Sequence, residues 1–516
     1  AKLRTLVTYL ELIAHLHKRY SGEASAKLRM IRVDPHDRLT RWALDYLASN
    51  RNQSLTAMLQ AAMERRYPAD PHETFYTGGG RHKFHNFDPE DDGRILTVGE
   101  AFRKSVNLVF IRLMRDIVHH ITCSKVGSMA EILEKENHPS RLEFLKRFAD
   151  YEGRVFLHRF YSKYRGKTAE EQLGILIQSM RPSPVRLAAA HRFIHPSASI
   201  DDFAAFLRKN LPWLSLTRKD INRLYLQYAP GTWSLPDRGS LSRLHPLELW
   251  LVAYLKAHPG AGLAEVLAAS AAERQAIYQW LFKPGKKSAQ NTRIRMIMEV
   301  DAFADICASW KKTGYPFATL IPSYATAIGS SADRPSALAE LIGIILNQGV
   351  RYPHVKIETL HFAAQTPYET VFRRKDATGQ RVLPPETAFV LRNALMDTVE
   401  RGTAQAIRHA FIASDGLPLK VGGKTGTGDN RHEVYDSSGQ VVESRVMNRA
   451  AVFAFFIGNR FYGTITALVL GPEAAGYDYT SSLPVRILKI MSPKLLPMIE
   501  QAESRARTAQ QAAGAI

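Results

Sequence analysis

Gly422-Gly423-Lys424-Thr425-Gly426-Thr427-Gly428 is the densest run of chemically useful residue types in the chain. Two chemistries compete for it. Gly423-Lys424-Thr425 matches the close of a phosphate-binding loop, but that motif needs a glycine five residues before Gly423, where Pro418 stands. It also needs a helix starting at the lysine, and Gly426, Gly428, Asp429 and Asn430 break any such helix, so no helix N-terminus is there to hold phosphate. The other reading is an edge strand whose free backbone groups pair with an extended peptide. Lys424 then supplies positive charge, and the hydroxyls of Thr425 and Thr427 hold a substrate carboxylate. Gly426 lets the substrate backbone come close. A plain surface turn uses the same residue types, so the string alone does not decide.

Ser105-Val106-Asn107 is a second pair of polar side chains in a telling place. Thr97-Val98-Gly99-Glu100 has the form of a capping box, which predicts a short helix ending near Ser105. A second helix follows Asn107, with Val109, Ile111, Leu113, Met114 and Ile117 buried. Serine and asparagine therefore sit at a helix junction, although Ser105 as a simple N-cap is the alternative. Lys2 to Arg19 reads as an amphipathic helix, with Leu3, Leu6, Val7, Leu10, Ile13 and Leu16 on one face. A core helix with no lead-in implies a fragment whose beginning lies upstream.

The elements that must position these residues fall into three stretches. Residues 1–123 alternate helices with irregular segments, including exposed loops at Gly78-Gly79-Gly80 and Asp88 to Gly93. Residues 124–306 are helical almost throughout, for example from Pro246 to a stop at Pro259-Gly260. Residues 307–498 carry helices at Ala337–Gln348 and Pro385–Arg401, then strands at Leu417–Thr427, Arg449–Gly458 and Gly463–Gly471. Phe461-Tyr462-Gly463 is read as the tight connection of an antiparallel hairpin. Residues 499–516, rich in Ala, Gln and Arg, read as a frayed helix or tail. Helices, then strands, then a closing helix make an α+β fold.

Composition bounds the function classes. A 516-residue chain with 45% hydrophobic and 23% charged residues is globular, which excludes a disordered or collagen-like polymer. Its two cysteines, Cys123 and Cys307, exclude a disulfide-dense scaffold and a four-cysteine zinc site; they either pair or stay as two buried thiols. No run approaches the roughly 18 apolar residues that span a bilayer. The net charge of +20 attracts polyanions, whether nucleic acid, anionic lipid or an acidic cell-wall polymer, unless the arginines merely solvate helix faces. His82, His85, His119 and His120 lack the acidic or thiol partners of a metal site, so no metal is expected. Phe156, Phe160, Tyr161 and Tyr164 are read as core at helical spacing rather than a nucleic-acid stacking platform.

Three ordered stretches now carry a resemblance. Asn86-Phe87-Asp88 through Thr97–Phe102 to Ser105–Phe110 resembles the approach to the Ser-x-Asn motif of class A, bifunctional penicillin-binding proteins. Ile321–Ser330 resembles the Pro-Ser…Leu-Gly segment before a long helix, and Leu383–Ala388 through Val399–Ala404 resembles the helix leading to Lys-Thr-Gly, here Lys424-Thr425-Gly426. The resemblance implies a penicillin-binding-protein/β-lactamase-like transpeptidase fold, an antiparallel sheet with flanking helices, here with a large all-helical insertion. Ala1-Lys2-Leu3-Arg4 resembles the family's Ser-x-x-Lys helix cut just after its serine, which makes Lys2 the motif lysine and puts the nucleophile two residues before Ala1.

By that resemblance the upstream serine attacks the penultimate D-alanyl carbonyl of a peptidoglycan stem peptide or lipid-linked precursor, with Lys2 as general base. Ser105 relays a proton to the leaving amine, Asn107 holds the substrate amide and orients Lys2, and Lys424 adds positive potential. Thr425, Gly426 and Thr427 bind substrate, the Thr427 N–H helping to form the oxyanion hole. The resemblance implies β-lactam sensitivity, no cofactor, no nucleic acid, a periplasmic location at the inner membrane with the anchor outside this chain, and a cell-wall synthesis partner on the insertion. A preceding glycosyltransferase domain is the bifunctional expectation. The rivals are a D,D-carboxypeptidase or β-lactamase, with water as acceptor, and a non-catalytic scaffold or sensor of the same fold. Salt-dependent DNA binding would be needed to revive a nucleic-acid reading.

Overall fold

Spacing of apolar residues lays down the Lys2–Tyr20 helix, and Leu3, Leu6, Val7, Leu10, Ile13 and Leu16 are all buried along it. The computed structural model describes residues 1–77, 80–374, 377–435 and 441–514; Gly78 and Gly79 of the expected loop and the last two residues of the expected tail lie outside them. Two units share the chain: Ala1–Ala130 with Met298–Ile516, and Glu131–Ile297.

In the first unit the Lys2–Tyr20 helix packs against helices Arg38–Ser49, Leu55–Met63, Asn107–Val126 and Pro385–Arg401. The Thr97 capping box forms, the Thr97 hydroxyl accepting from Glu100 N–H at 3.1 Å and Glu100 Oε2 accepting from Thr97 N–H at 2.9 Å. It starts the Val98–Lys104 helix that sets up the Asn107–Val126 helix.

The sheet is antiparallel, in the order Phe461–Leu470, Val441–Ile457, Val421–Tyr435, which leaves Val421–Tyr435 as an edge strand. Alternation along the central strand covers both faces. Ala454 and Phe456 join the core of the helical layer, whereas Phe453, Phe455 and Ile457 join a second core with Val485, Leu488 and Ile499 of the Ser482–Gly514 helix.

Two expectations need correction here. The hairpin connection is Gly458-Asn459-Arg460, not Phe461–Gly463: Gly458 adopts φ +63, a left-handed turn conformation that favours glycine, and Phe461 already pairs with Ile457. The Asp88–Gly93 segment is not wholly exposed, because Asp91 is buried with Arg94 at 3.2 Å and Lys104 at 3.5 Å. Of the two readings of residues 499–516, helix or tail, the described part is helix and continues Ser482–Gly514, since alanine, glutamine and arginine are strong helix formers even without an apolar face. Cys123 and Cys307 are two free, buried thiols, Cys307 donating to the Ala318 carbonyl at 3.4 Å.

The Glu131–Ile297 unit consists of helices, several opened by capping boxes at Thr168, Ser199 and Thr217. Phe160 and Tyr164 are in its core, Phe156 packs on His245, and the Tyr161 hydroxyl donates to the Ala261 carbonyl. Buried arginines tie its helices together. Arg238 donates to the carbonyls of Ala189, Tyr228 and Ala229, and Arg274 pairs with Asp150 at 2.6 Å.

Candidate functional site

Ser105 ends the Val98–Lys104 helix in the left-handed region, φ 64 and ψ 34. A non-glycine residue there costs roughly 1–2 kcal/mol, and the helix end is held by Val106 N–H donating to the Ala101 carbonyl at 2.9 Å. Ser105 is therefore a C-cap residue, not an N-cap; Val106 takes the N-cap position of the next helix. Freed from capping, the Ser105 hydroxyl accepts from Lys424 Nζ at 2.9 Å.

Asn107 opens the next helix with its amide locked at both ends. Its Oδ1 accepts from Lys2 Nζ at 2.7 Å, and its Nδ2 donates to the His85 carbonyl at 2.9 Å. The segment before it is tied to the same junction, since Asn86 Oδ1 accepts from Leu108 N–H at 3.0 Å and Asn86 Nδ2 donates to the Ala69 carbonyl at 2.9 Å. Lys2 reaches this point because it begins a helix whose opposite face is core.

Lys424 is buried in the edge strand opposite Ala454. Besides Ser105 it donates to its neighbour's carbonyl, Thr425 O, at 2.9 Å, and lies 5.6 Å from the centre of the Phe102 ring. The Thr425 hydroxyl meets the Thr403 hydroxyl at 2.5 Å. Thr427, exposed, accepts from Ser481 N–H at 2.8 Å through its Oγ1, which leaves its own proton to donate into the cleft. Gly426 faces Val452 with little room: an added Cβ would stand 3.1 Å from Val452 Cγ1.

The structure thus brings Lys2, Ser105, Asn107, Lys424, Thr425, Gly426 and Thr427 to one cleft of about 400 Å³, with Phe87, Asp88 and Lys104 also lining it. Burial holds Lys2 down at about 8, and burial together with the Lys2 charge holds Lys424 well below its ordinary value. Among the described residues no carboxylate forms an ion pair with either lysine. Sequence reasoning missed Thr403, Ser481 and the His85 carbonyl as parts of this network. Thr403 lies in a quoted motif without an assigned role, and nothing local marks the other two. Of the expected non-ligand histidines, His120 contacts the Asp37 carboxylate at 3.1 Å and His82 stacks on Phe84. Among the described residues no group of three His, Cys, Asp or Glu side chains is placed to hold a metal, and no helix is long and apolar enough to cross a membrane.

No family model matches the chain. Over 108 residues, 21% of this chain and 13% of the other, it is 30% identical to penicillin-binding protein 1B of Haemophilus influenzae. Penicillin-binding protein 3 of Mycobacterium tuberculosis, solved with aztreonam, aligns over 40% of this chain and 49% of its own, at 18% identity and TM-score 0.27. The D,D-transpeptidase domain of a peptidoglycan glycosyltransferase from Eggerthella lenta aligns over 85% of this chain and 63% of its own, at 12% identity and TM-score 0.31. The chain thus spans a small part of the one relative and about half to two thirds of the two solved chains. It has a distant similarity to the transpeptidase domains of penicillin-binding proteins.

Proposed function

We propose that this cleft is the acyl-transfer site of a penicillin-sensitive D,D-transpeptidase that cross-links peptidoglycan stem peptides, with its serine nucleophile two residues before Ala1 in the full protein. The observation that carries the reading is the pair of contacts Lys2 Nζ–Asn107 Oδ1 and Lys424 Nζ–Ser105 Oγ. They join three sequence-distant motifs in one water-accessible cleft.

In this mechanism the serine Oγ attacks the penultimate D-alanyl carbonyl while Lys2, partly neutral because its pKa lies at about 8, takes the hydroxyl proton. The tetrahedral oxyanion is held by the N–H groups of the serine and Thr427. Collapse breaks the C–N bond, and Ser105, charged with a proton through Lys424, protonates the departing D-alanine amine. Thr425 and Thr427 hold the terminal carboxylate beside Lys424. An amine from a second stem peptide then attacks the acyl ester, its proton returning through Ser105 to Lys424, and the departing serine Oγ regains its proton from Lys2. A β-lactam supplies the same carbonyl but no departing fragment, so the ester persists. The location we propose is the periplasmic face of the inner membrane.

Intact-mass analysis of the chain extended upstream through that residue, after incubation with benzylpenicillin, tests this. The expected result is one covalent adduct, mapped to the residue two before Ala1. A folded protein with no adduct would defeat the enzyme reading and leave a non-catalytic scaffold.

A further inference from the structure

A second cavity, of about 650 Å³, lies within the Glu131–Ile297 unit, walled by helices Ala169–Gln178, Pro184–Ile194, Ile200–Asn210 and Pro246–Ala257. One wall is apolar, with Leu173 and Ile177. Aromatic rings line another part: His191 stacks on His195 with centroids 4.6 Å apart and packs on Phe206 at 4.2 Å.

Two polar features here are incompletely satisfied. His191 is 5% exposed, yet its Nδ1 has no hydrogen-bond partner, and a buried polar atom left so costs about 1–3 kcal/mol. Lys256 Nζ meets His195 Nδ1 at 2.7 Å and the Ile194 carbonyl at 3.3 Å, with a third N–H to spare. Among the described residues no carboxylate pairs with it. With Lys256 donating, His195 carries its proton on Nε2 and presents a second donor. Two acids line the pocket and are held by neighbours: Asp202 closes the capping box of Ser199, accepting from its hydroxyl at 2.7 Å, and Glu170 lies 3.8 Å from Lys209. Burial, with His195, Arg192 and Lys256 adding charge against the opposing pull of Asp202, pushes His191 down to about 3.

We propose that this pocket binds a small organic anion, its carboxylate or phosphate on Lys256 and the His195 Nε2–H, and its apolar body against Leu173, Ile177 and Phe206. Lys256 is the lining cation that no described carboxylate pairs with, and an anion supplies that partner, while the hydrocarbon wall gives no reason for a bare inorganic ion.

Calorimetric titration of the whole chain with phenyl phosphate and with benzoate tests this, with benzyl alcohol as the uncharged control. The expected result is saturable one-site binding of at least one anion, weakened at least tenfold by Lys256→Met and by Gly174→Leu. Gly174 lines the pocket, and a Cβ added there meets nothing within 4 Å, so the leucine enters open space without disturbing the helix packing. If Lys256→Met does not fold, Gly174→Leu decides. Absence of saturable binding by both anions, undiminished affinity in Gly174→Leu, or equal affinity for benzyl alcohol would overturn the proposal.

Discussion

Lys2 and Arg4 stand on the first turn of one helix and are treated in opposite ways. Arg4 is 1% exposed and fully compensated: it pairs with Asp333 at 2.5 Å, donates to the carbonyls of Thr313 and Ala337, and lies over the Tyr315 ring. Lys2 has a neutral amide oxygen as its side-chain partner, and Lys424, across the cleft, has a hydroxyl and a carbonyl. Arg4, which holds structure together, is given a carboxylate. A buried cation given neutral dipoles is held close to losing its proton, which is what a general base needs. Under the proposed function, the difference separates anchoring from chemistry within two residues.

The largest effect expected from breaking this contrast is kinetic. In the chain extended upstream, Lys2→Met should slow acylation by benzylpenicillin by about 10²–10⁴-fold, measured by the rate of adduct formation. The same substitution should leave the fold intact and stabilise it at neutral pH. Lys2 has a reference pKa of 10.5 and titrates at about 8 in the folded chain. Between those values the unfolded chain holds one more proton, so the Lys2 contribution raises stability as pH climbs through this window, and its penalty is fully present below 8. Removing the charge should gain about 1–2 kcal/mol at pH 7 after loss of the Asn107 hydrogen bond, read from urea unfolding.

Arg4→Met should do the reverse. It strips Asp333 of its partner and should destabilise the fold by about 3–5 kcal/mol, with much of the loss recovered in the Arg4→Met, Asp333→Asn double variant. Unfolding midpoints in urea check both. A destabilisation below about 1 kcal/mol would remove the anchoring half of the comparison.

A smaller effect sharpens the picture on the substrate side. Thr403 touches the Thr425 hydroxyl, which is proposed to hold the substrate carboxylate, so it acts through Thr425 as a positioning residue. Thr403→Val should raise KM for a D-Ala-D-Ala-terminated peptide by about three- to tenfold with little change in kcat, and Thr403→Ser should restore it. A loss confined to kcat would move Thr403 from carboxylate binding to proton transfer.

What could be read in advance was local. The Thr97–Glu100 box, the buried face of Lys2–Tyr20 and the edge strand at Lys424 each rest on neighbours a few residues apart, and the structure forms all three. What could not be read depends on residues far apart in sequence. The left-handed turn at Ser105 looks like an N-cap until Lys424, 319 residues on, is seen to hold its hydroxyl. Arg4 and Asp333 are 329 residues apart, so nothing in the first helix marks Arg4 as paired. Ser481 contributes only its backbone N–H to Thr427, which leaves no side-chain signature at all. The misplaced hairpin turn has a local cause: Gly458 and Gly463 both suit a turn, and the burial of Ile457 and Phe461 against the second core favours the earlier one.

The most direct test is the pH dependence of penicillin acylation between pH 6 and 10, in the upstream-extended chain and in its Lys2→Arg variant. The expected rate rises about tenfold per pH unit and levels near pH 8, where Lys2 loses its proton. Lys2→Arg, which stays charged, should be slow and flat across the range. A rate independent of pH in the parent chain, or an unimpaired Lys2→Arg variant, would contradict the assignment of Lys2 as the base.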